Sequence, residues 1–368
     1  MPGASIRRPL AASLLAGVIT VAVVAALVIG HLYERATEEA AADSLRASQG
    51  MFRALERGDV HKLDAALGAL LEDEALKRLF LARDRARLLE AALPRFQDLS
   101  ARDGITHWYF IDPDRRVVLR VHRPALFGDR VDRLTLARAV ETRDMGAGLE
   151  LGQTAFALRV VRAWMVDGRL IGYLELAEEV GHFLVRLKQE TGNDFAVLVK
   201  KRALDEAAWA RVTGRARNTW NARPDVVVVD TTTFTEGLVD FQGDLAALPD
   251  EGVVLAEEVK GGRAWLRGFF PLRDAAGHPV GALAVLHDFT RLHEVMVGGR
   301  RQVLLVVLGM SLLACLVVWG ALERWVLRPL RRVAEGAERA AGLGPPPAGA
   351  DELERLRRLL PPPPDGAP

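Results

Sequence analysis

The sequence predicts an α+β membrane protein in which two transmembrane helices flank a long helix and two antiparallel sheet modules. Three observations carry this prediction. Two uncharged apolar runs, Pro9–Gly30 and Gln302–Leu322, stand near the two ends of the chain. Leucines recur at helical spacing among charged residues through 32–103. From Ile105 onward the apolar period shortens to two, and turn residues punctuate the runs.

Each apolar run covers about 20 residues, enough to cross ~30 Å of hydrocarbon. The first run reads as an uncleaved anchor at residues 9–31. It exceeds the roughly 7–15 residues of a signal-peptide core, and Ala25-Ala26-Leu27 is a poor cleavage site. Arg7 and Arg8 precede it, and Arg324, Arg328, Arg331 and Arg332 follow the second run. The positive-inside rule therefore places both ends in the cytoplasm, although Arg300 and Arg301 lie on the opposing flank. A two-pass inner-membrane topology follows, with 1–8 inside and the region between the runs in the periplasm or extracellular space.

Residues 32–103 read as a long periplasmic helical stalk: Leu63, Leu67, Leu70, Leu71, Leu81, Leu88 and Leu89 form its apolar stripe. A break or kink is expected at Gly58-Asp59 and a bend at Pro94. Next come β-runs Ile105–Ile111 and Val117–His122 around Asp112-Pro113-Asp114, a helix Thr135–Glu141, and strands Leu149–Glu150, Phe156–Met165 and Arg169–Leu176. A helix Val180–Gln189 closes this module, 104–190. The second module, 191–300, repeats the pattern. Its strands are Phe195–Lys200, Val226–Asp230, Val253–Val259, Trp265–Leu272 and Pro279–Asp288, with a helix at Leu204–Val212. Both halves end in two strands across a glycine-containing turn, which suggests an internal duplication.

The 368 residues are 50% hydrophobic and 26% charged, with a net charge of +1. That balance gives no basis for nucleic-acid binding. Cys315 is the one cysteine, which excludes an intrachain disulfide and a cysteine metal site. No cofactor is expected. Phosphate-binding loops, nucleophile elbows, zinc-protease motifs and dinucleotide turns are missing from the sequence, and its histidines are scattered, so an enzyme is not expected.

Strand alternation nominates a binding face instead. Arg120 and His122 share one face of their strand, and His107 and Tyr109 share one face of the preceding strand. Arg159, Tyr173 and Glu175 are the polar candidates on the two long strands. Convergence of these faces would build a pocket suited to a small anion such as a carboxylate, because Arg presents a planar donor fork. The competing reading makes each of these residues a solvated charge on a half-exposed sheet. Arg123 with Asp129-Arg130 is expected to form a structural salt-bridge loop, and Glu150 to cap or pair. Trp209, Trp220 and Trp265 are expected in the core.

Several motifs resemble a known family. "FLARDRARLL", "GITHWYFIDPDRRVVLRVHRP", "GDRVDR", "GLELG", "ALRVV", "LIGYLELAEEV" and "VLVKKRALDEAAW" together resemble the double Cache sensory domain of the dCache_3 class, over roughly residues 60–290. The resemblance implies a long helix and two stacked PAS-like modules outside the membrane. It also implies small-molecule binding in a chemoreceptor, sensor kinase or cyclic-di-nucleotide enzyme. Past the second span, "RWVLRPLRRVAEGAERAAGLG" and "ADELERLRRLL" resemble a HAMP relay at 323–360, with Pro329 and Glu352 at its family positions. Leu330, Val333, Ala337 and Ala340 form the apolar seam that a parallel homodimer needs. Pro345-Pro346-Pro347 interrupts the connector and a Pro-rich tail, 361–368, ends the second helix, so the relay is expected to be truncated.

These readings describe a sensor that binds a ligand outside the cytoplasm and relays the signal inward. The alternatives are an accessory ligand-binding subunit acting with a separate cytoplasmic kinase, cyclase or chemotaxis partner, or a membrane-anchored structural protein.

Overall fold

The structure is a computed structural model, and it describes residues 7–152, 156–207, 209, 220–233, 237–344, 355 and 357–358. The chain divides into two compact units, 37–290 and the pair 1–36 with 291–368. Helix α1 runs unbroken over Arg7–Leu71, followed by α2 (Glu74–Leu81) and α3 (Arg85–Asp103). A break at Gly58-Asp59 is not formed. Gly58 is exposed, where a helical glycine costs only ~1 kcal/mol. Asp59 is buried but accepts two hydrogen bonds from Arg186, at 3.0 and 2.9 Å, and lies 3.2 Å from Lys62. The breaks come where aspartates cap new helices. Asp73 accepts from the amides of Ala75 and Leu76, and Asp84 from that of Arg87. Pro94 is accommodated within α3.

Ten strands follow: β1 (His107–Ile111), β2 (Val117–Arg120), β3 (Met145–Leu151), β4 (Phe156–Val166), β5 (Arg169–Glu179), β6 (Asp194–Lys200), β7 (Val226–Thr231), β8 (Val253–Lys260), β9 (Arg263–Arg273) and β10 (Pro279–Asp288). They form two five-stranded antiparallel sheets, β2-β1-β5-β4-β3 and β7-β6-β10-β9-β8. The second order is the first advanced by five strands, so the internal repeat expected from the sequence is present as topology. Helix α4 (Leu134–Thr142) connects β2 to β3, and α5 (Gly181–Thr191) connects the two sheets. Glu206, Ala207 and Trp209 are helical; the rest of the helix expected at Leu204–Val212 is non-helical at Leu204 and Asp205 and otherwise lies outside the described residues.

One face of each sheet packs on the helices. Trp108, Phe110, Leu158, Trp164 and Leu174 of the first sheet join Leu63, Leu67 and Leu70 of α1 and Phe80 of α2 in one core. Phe195, Val197, Phe270 and Leu283 of the second sheet join the same core, with Leu45 and Phe52 of α1. Residues 37–71 are therefore not a free stalk, because Leu45, Phe52, Leu63, Leu67 and Leu70 are buried in this core. The other face of the second sheet is largely apolar: Ala196, Leu198, Trp265, Phe269 and Leu286 pack under Leu238, Val239, Leu245 and Leu248, and Arg267 of the same face pairs with Glu258 at 2.7 Å. Trp209, Trp220 and Trp265 are all buried, as expected.

The other unit holds the start of α1 and helix α6 (Thr290–Leu322), then a π-helical turn (Glu323–Leu327) and α7 (Arg328–Ala340). Both Pro9–Leu71 and Thr290–Ala340 contain stretches long and apolar enough to cross a membrane. Cys315 Sγ lies 3.6 Å from the carbonyl of Leu14, and Tyr33 Oη lies 2.8 Å from His293 Nδ1. Pro329 lies directly after the π-helical turn, within a helix that continues from α6. Arg355 reaches Glu335 of α7 at 3.1 Å. Glu352, the prolines at 345–347 and the tail 361–368 lie outside the described residues.

Candidate functional site

The outer face of the first sheet differs in kind from its counterpart. Strand register sets its composition. Tyr109 stands opposite Arg120 on one side and Glu175 on the other, and Arg159 and His107 both stand opposite Ala177. Alternation therefore brings His107, Tyr109, Arg120, Arg159 and Glu175 to one face. His122, just past β2, closes the group: its ring lies 4.5 Å from that of His107 and 5.0 Å from that of Tyr109. Six of the seven residues nominated by the sequence are brought together. Tyr173 is on the same face but two residues along β5, buried in an apolar cluster with Ile111, Val117, Leu136 and Ala139.

Ion pairing fixes the charged members. Arg159 Nη1 donates to Glu175 Oε1 at 2.6 Å, and Arg159 Nε lies 3.7 Å from Glu150 Oε2. Arg133, just before α4, brings Nη2 to 2.9 Å from Glu175 Oε2 and stacks its guanidinium 4.8 Å above the Tyr109 ring. Glu150 Oε1 accepts from the Thr135 amide at 2.6 Å, satisfying a free donor in the first turn of α4. The sequence did not nominate Arg133, and it gave Glu150 only a capping or pairing role, which Glu150 does fill. Arg133 was visible only as the last residue of the motif GDRVDR and by its position just ahead of a short amphipathic helix.

Arg120 is engaged differently from the expectation. Its two Nη atoms donate to the two carboxylate oxygens of Asp129 at 2.7 and 2.6 Å, and Nη1 also donates to the Leu126 carbonyl. The salt-bridge loop expected from Arg123 with Asp129-Arg130 is thus built by Arg120. Arg130 pairs with Asp132 at 3.3 Å. Arg120 lines the Tyr109 ring at 5.2 Å but holds the 123–133 loop in place.

Burial dominates the electrostatics. His107 is pushed down to about 2 by burial, reinforced by Arg159, and His122 down to about 4 by burial, reinforced by Arg123 and Arg120. Both rings are neutral near pH 7. The Trp108 amide donates to His122 Nδ1 at 3.3 Å, so this ring carries its hydrogen on Nε2. Burial raises the Glu150 carboxyl, against the Thr135 amide and Arg159. Asp129 is held low by Arg120.

Arg120, Arg133 and Arg159 are matched by Asp129, Glu150 and Glu175, so the group is balanced in charge. It is not saturated in hydrogen bonds. Among the described residues Arg133 Nε, Arg159 Nε, Glu150 Oε2, Glu175 Oε2 and Thr135 Oγ1 are all buried without a hydrogen-bond partner. Glu175 Oε2 is ion-paired at 2.9 Å yet misaligned for a hydrogen bond. Two guanidinium donors, two carboxylate acceptors and a hydroxyl in one place can engage a small polar molecule, since each unmet buried group costs about 1–3 kcal/mol. Among the described residues no group of three or more His, Cys, Asp or Glu could hold a metal ion.

Comparison with known proteins places this architecture. Residues 37–293 match the family model dCache_3, described as the double sensory domain of two-component sensor kinases. No curated protein matches the chain. Among solved structures, the periplasmic domain of Vibrio cholerae LuxQ is 12% identical, with a TM-score of 0.38 over 66% of this chain and 98% of that one. The sensory domain of the Campylobacter jejuni chemoreceptor Tlp3 with isoleucine bound is also 12% identical, with a TM-score of 0.38 over 71% and 96%. The sensor domain of the V. cholerae histidine kinase DctB is 12% identical, with a TM-score of 0.33 over 64% and 98%.

Proposed function

The chain belongs to the dCache_3 family of double sensory domains, and on that premise we propose that it is a membrane-anchored receptor whose first sheet module binds a small carboxylate-bearing ligand outside the cytoplasm. The supporting observation is the contrast between the two outer faces. One is packed mainly with apolar side chains and carries the ion pair of Arg267 with Glu258 at 2.7 Å. The other gathers two arginines and two glutamates with buried, unmatched polar atoms beside Tyr109. The ligand's carboxylate would replace Glu175 as the partner of Arg133, whose side chain is 21% exposed, while Arg159 keeps Glu175. A donor elsewhere on the ligand would meet Glu150 Oε2. The apolar helices anchor the sensor, and a HAMP-like α7 carries the signal onward. The exposed Leu330 and Val333 provide its dimer seam.

Thermal-shift titration of the purified full chain with a panel of small carboxylates tests the site. A stabilising carboxylate is expected, with at least tenfold weaker apparent affinity in Arg133→Ala, because a charge-assisted bidentate contact is worth about 1.5–3 kcal/mol. Stabilisation by none of the panel, or binding indifferent to Arg133→Ala, would overturn the assignment.

A further inference from the structure

A second polar cluster lies far from the ligand site, in the interior of 37–290. On α1 the buried stripe facing the second sheet is Ala41, Leu45, Ser48, Gln49 and Phe52. Leu45 sits against Gly252 and Gly268, where an added Cβ would approach its methyls to 3.0 and 2.8 Å. Within this stripe Ser48 is fully buried, and it is matched by one side chain. Asn193 Nδ2 donates to Ser48 Oγ at 2.9 Å and to Ser44 Oγ, one helical turn away, at 3.1 Å. Asn193 Oδ1 meets His287 Nδ1 at 2.8 Å. With both amide hydrogens committed to the serines, Oδ1 is the acceptor and His287 carries its hydrogen on Nδ1.

Asn193 thus joins three parts of the chain. It follows Gly192, the left-handed cap that ends α5, and so stands on the link between the sheets. Ser44 and Ser48 belong to α1, which is continuous from residue 7. His287 is the penultimate residue of β10, and α6 begins at Thr290. An amide suits this position because it supplies two donors and an acceptor at once. A carboxylate lacks the donors, and glutamine is one methylene too long.

We propose that Asn193 is a register pin. It fixes α1 and the end of β10 in one position relative to the link from the first module, so movement of that link reaches both segments that continue into the apolar helices. Leu45 and the Gln49 side chain, which donates to the Asp250 carbonyl, hold α1 on the second sheet, whereas the buried Asn193 amide with three partners ties both α1 and β10 to the link from the first module. The proposal depends on no ligand and stands apart from the pocket assignment.

Hydrogen exchange of the full chain in lipid nanodiscs, read by mass spectrometry, tests it. In Asn193→Ala, exchange over 41–52 and over 283–290 is expected to rise together, at least tenfold, while 156–166 keeps the parent rate. The decisive variant is Ser44→Ala/Ser48→Ala. It touches His287 only through Asn193, yet 283–290 should loosen as in Asn193→Ala, and the triple variant should show no further increase. The double variant also replaces Asn193→Ala as the test should that variant fail to fold. Loosening confined to α1 in the double variant, or additive loosening in the triple, would overturn the pin.

Discussion

At the scale of single residues, the site's chemistry was legible where strand alternation decides it and illegible where loops do. Alternation alone brings His107, Tyr109, Arg120, Arg159 and Glu175 to one face, because neighbouring strands in register cannot do otherwise. Which acid each arginine meets depends on chain returns of nine to more than forty residues, and no local pattern encodes those. Asp129 therefore went to Arg120 and not to Arg123, and Arg133 entered the site unannounced. The histidines make a testable statement at this scale. Both have folded values below the ordinary 6.5, so the unfolded chain takes up protons more readily, and stability falls as the pH drops below about 6.5. The loss continues towards pH 4 for His122 and lower for His107. By pH 5.5 each histidine should cost about 1 kcal/mol relative to pH 7.5. Chemical denaturation of the parent and of His122→Gln at both pH values checks this. The variant should lose about 1 kcal/mol less on acidification, and equal losses would show that His122 does not titrate between the two states.

At the scale of elements, types were legible and junctions were not. Nine of the ten strands were expected from β-rich runs, since period-two patterning is set locally, and the glycine-containing β3 was expected only at Leu149–Glu150 of its span Met145–Leu151. The break expected at Gly58-Asp59 is not formed because the tertiary ion pair of Asp59 with Arg186 of α5, beside the local one with Lys62, outweighs a weak helix former. Conversely, Asp73 and Asp84 end one helix and start the next through capping bonds that leucine periodicity hides. Close approaches between elements are also invisible to pattern. An added Cβ at Gly146 of β3 would fall 1.9 Å from the Thr135 carbonyl of α4, so this glycine lets α4 lie directly on the sheet beside the Glu150 cap. Gly146→Ala must push α4 away and is expected to destabilise the chain by more than about 2 kcal/mol. Gly50, exposed on α1 with no atom within 4 Å of an added Cβ, provides the contrast. Gly50→Ala should stabilise by about 0.5–1 kcal/mol. Thermal melting of the two variants against the parent separates them, and a neutral Gly146→Ala would mean that α4 is not seated as described.

At the scale of the whole molecule, one topology has been used twice with different contents. The second module fills most of its outer face with Leu238, Leu245, Trp265 and Phe269 around one ion pair, Arg267 with Glu258, whereas the first buries Arg159 and Glu175 with Arg133 beside an apolar cluster. A packed apolar face resists deformation and suits a mechanical link, whereas a buried charged cluster can rearrange only where an incoming group replaces the partner that leaves, because a buried charge left unpaired costs about 3–5 kcal/mol. That division fits a receptor only if both modules stand outside the membrane and α7 inside. The topology rests on the arginines that flank the apolar helices, with Arg300 and Arg301 opposing it, so it calls for direct measurement. In a Cys315→Ser background, Arg169→Cys places a thiol on the exposed β4–β5 hairpin, and Arg339→Cys places one on the exposed side of α7. A membrane-impermeant maleimide applied to intact inner-membrane vesicles of right-side-out orientation should label position 169 at once and position 339 only after the bilayer is opened. The reverse pattern would put the charged cluster in the cytoplasm and end the receptor reading. Labelling of both positions before opening would show that at least one of the two helices does not span.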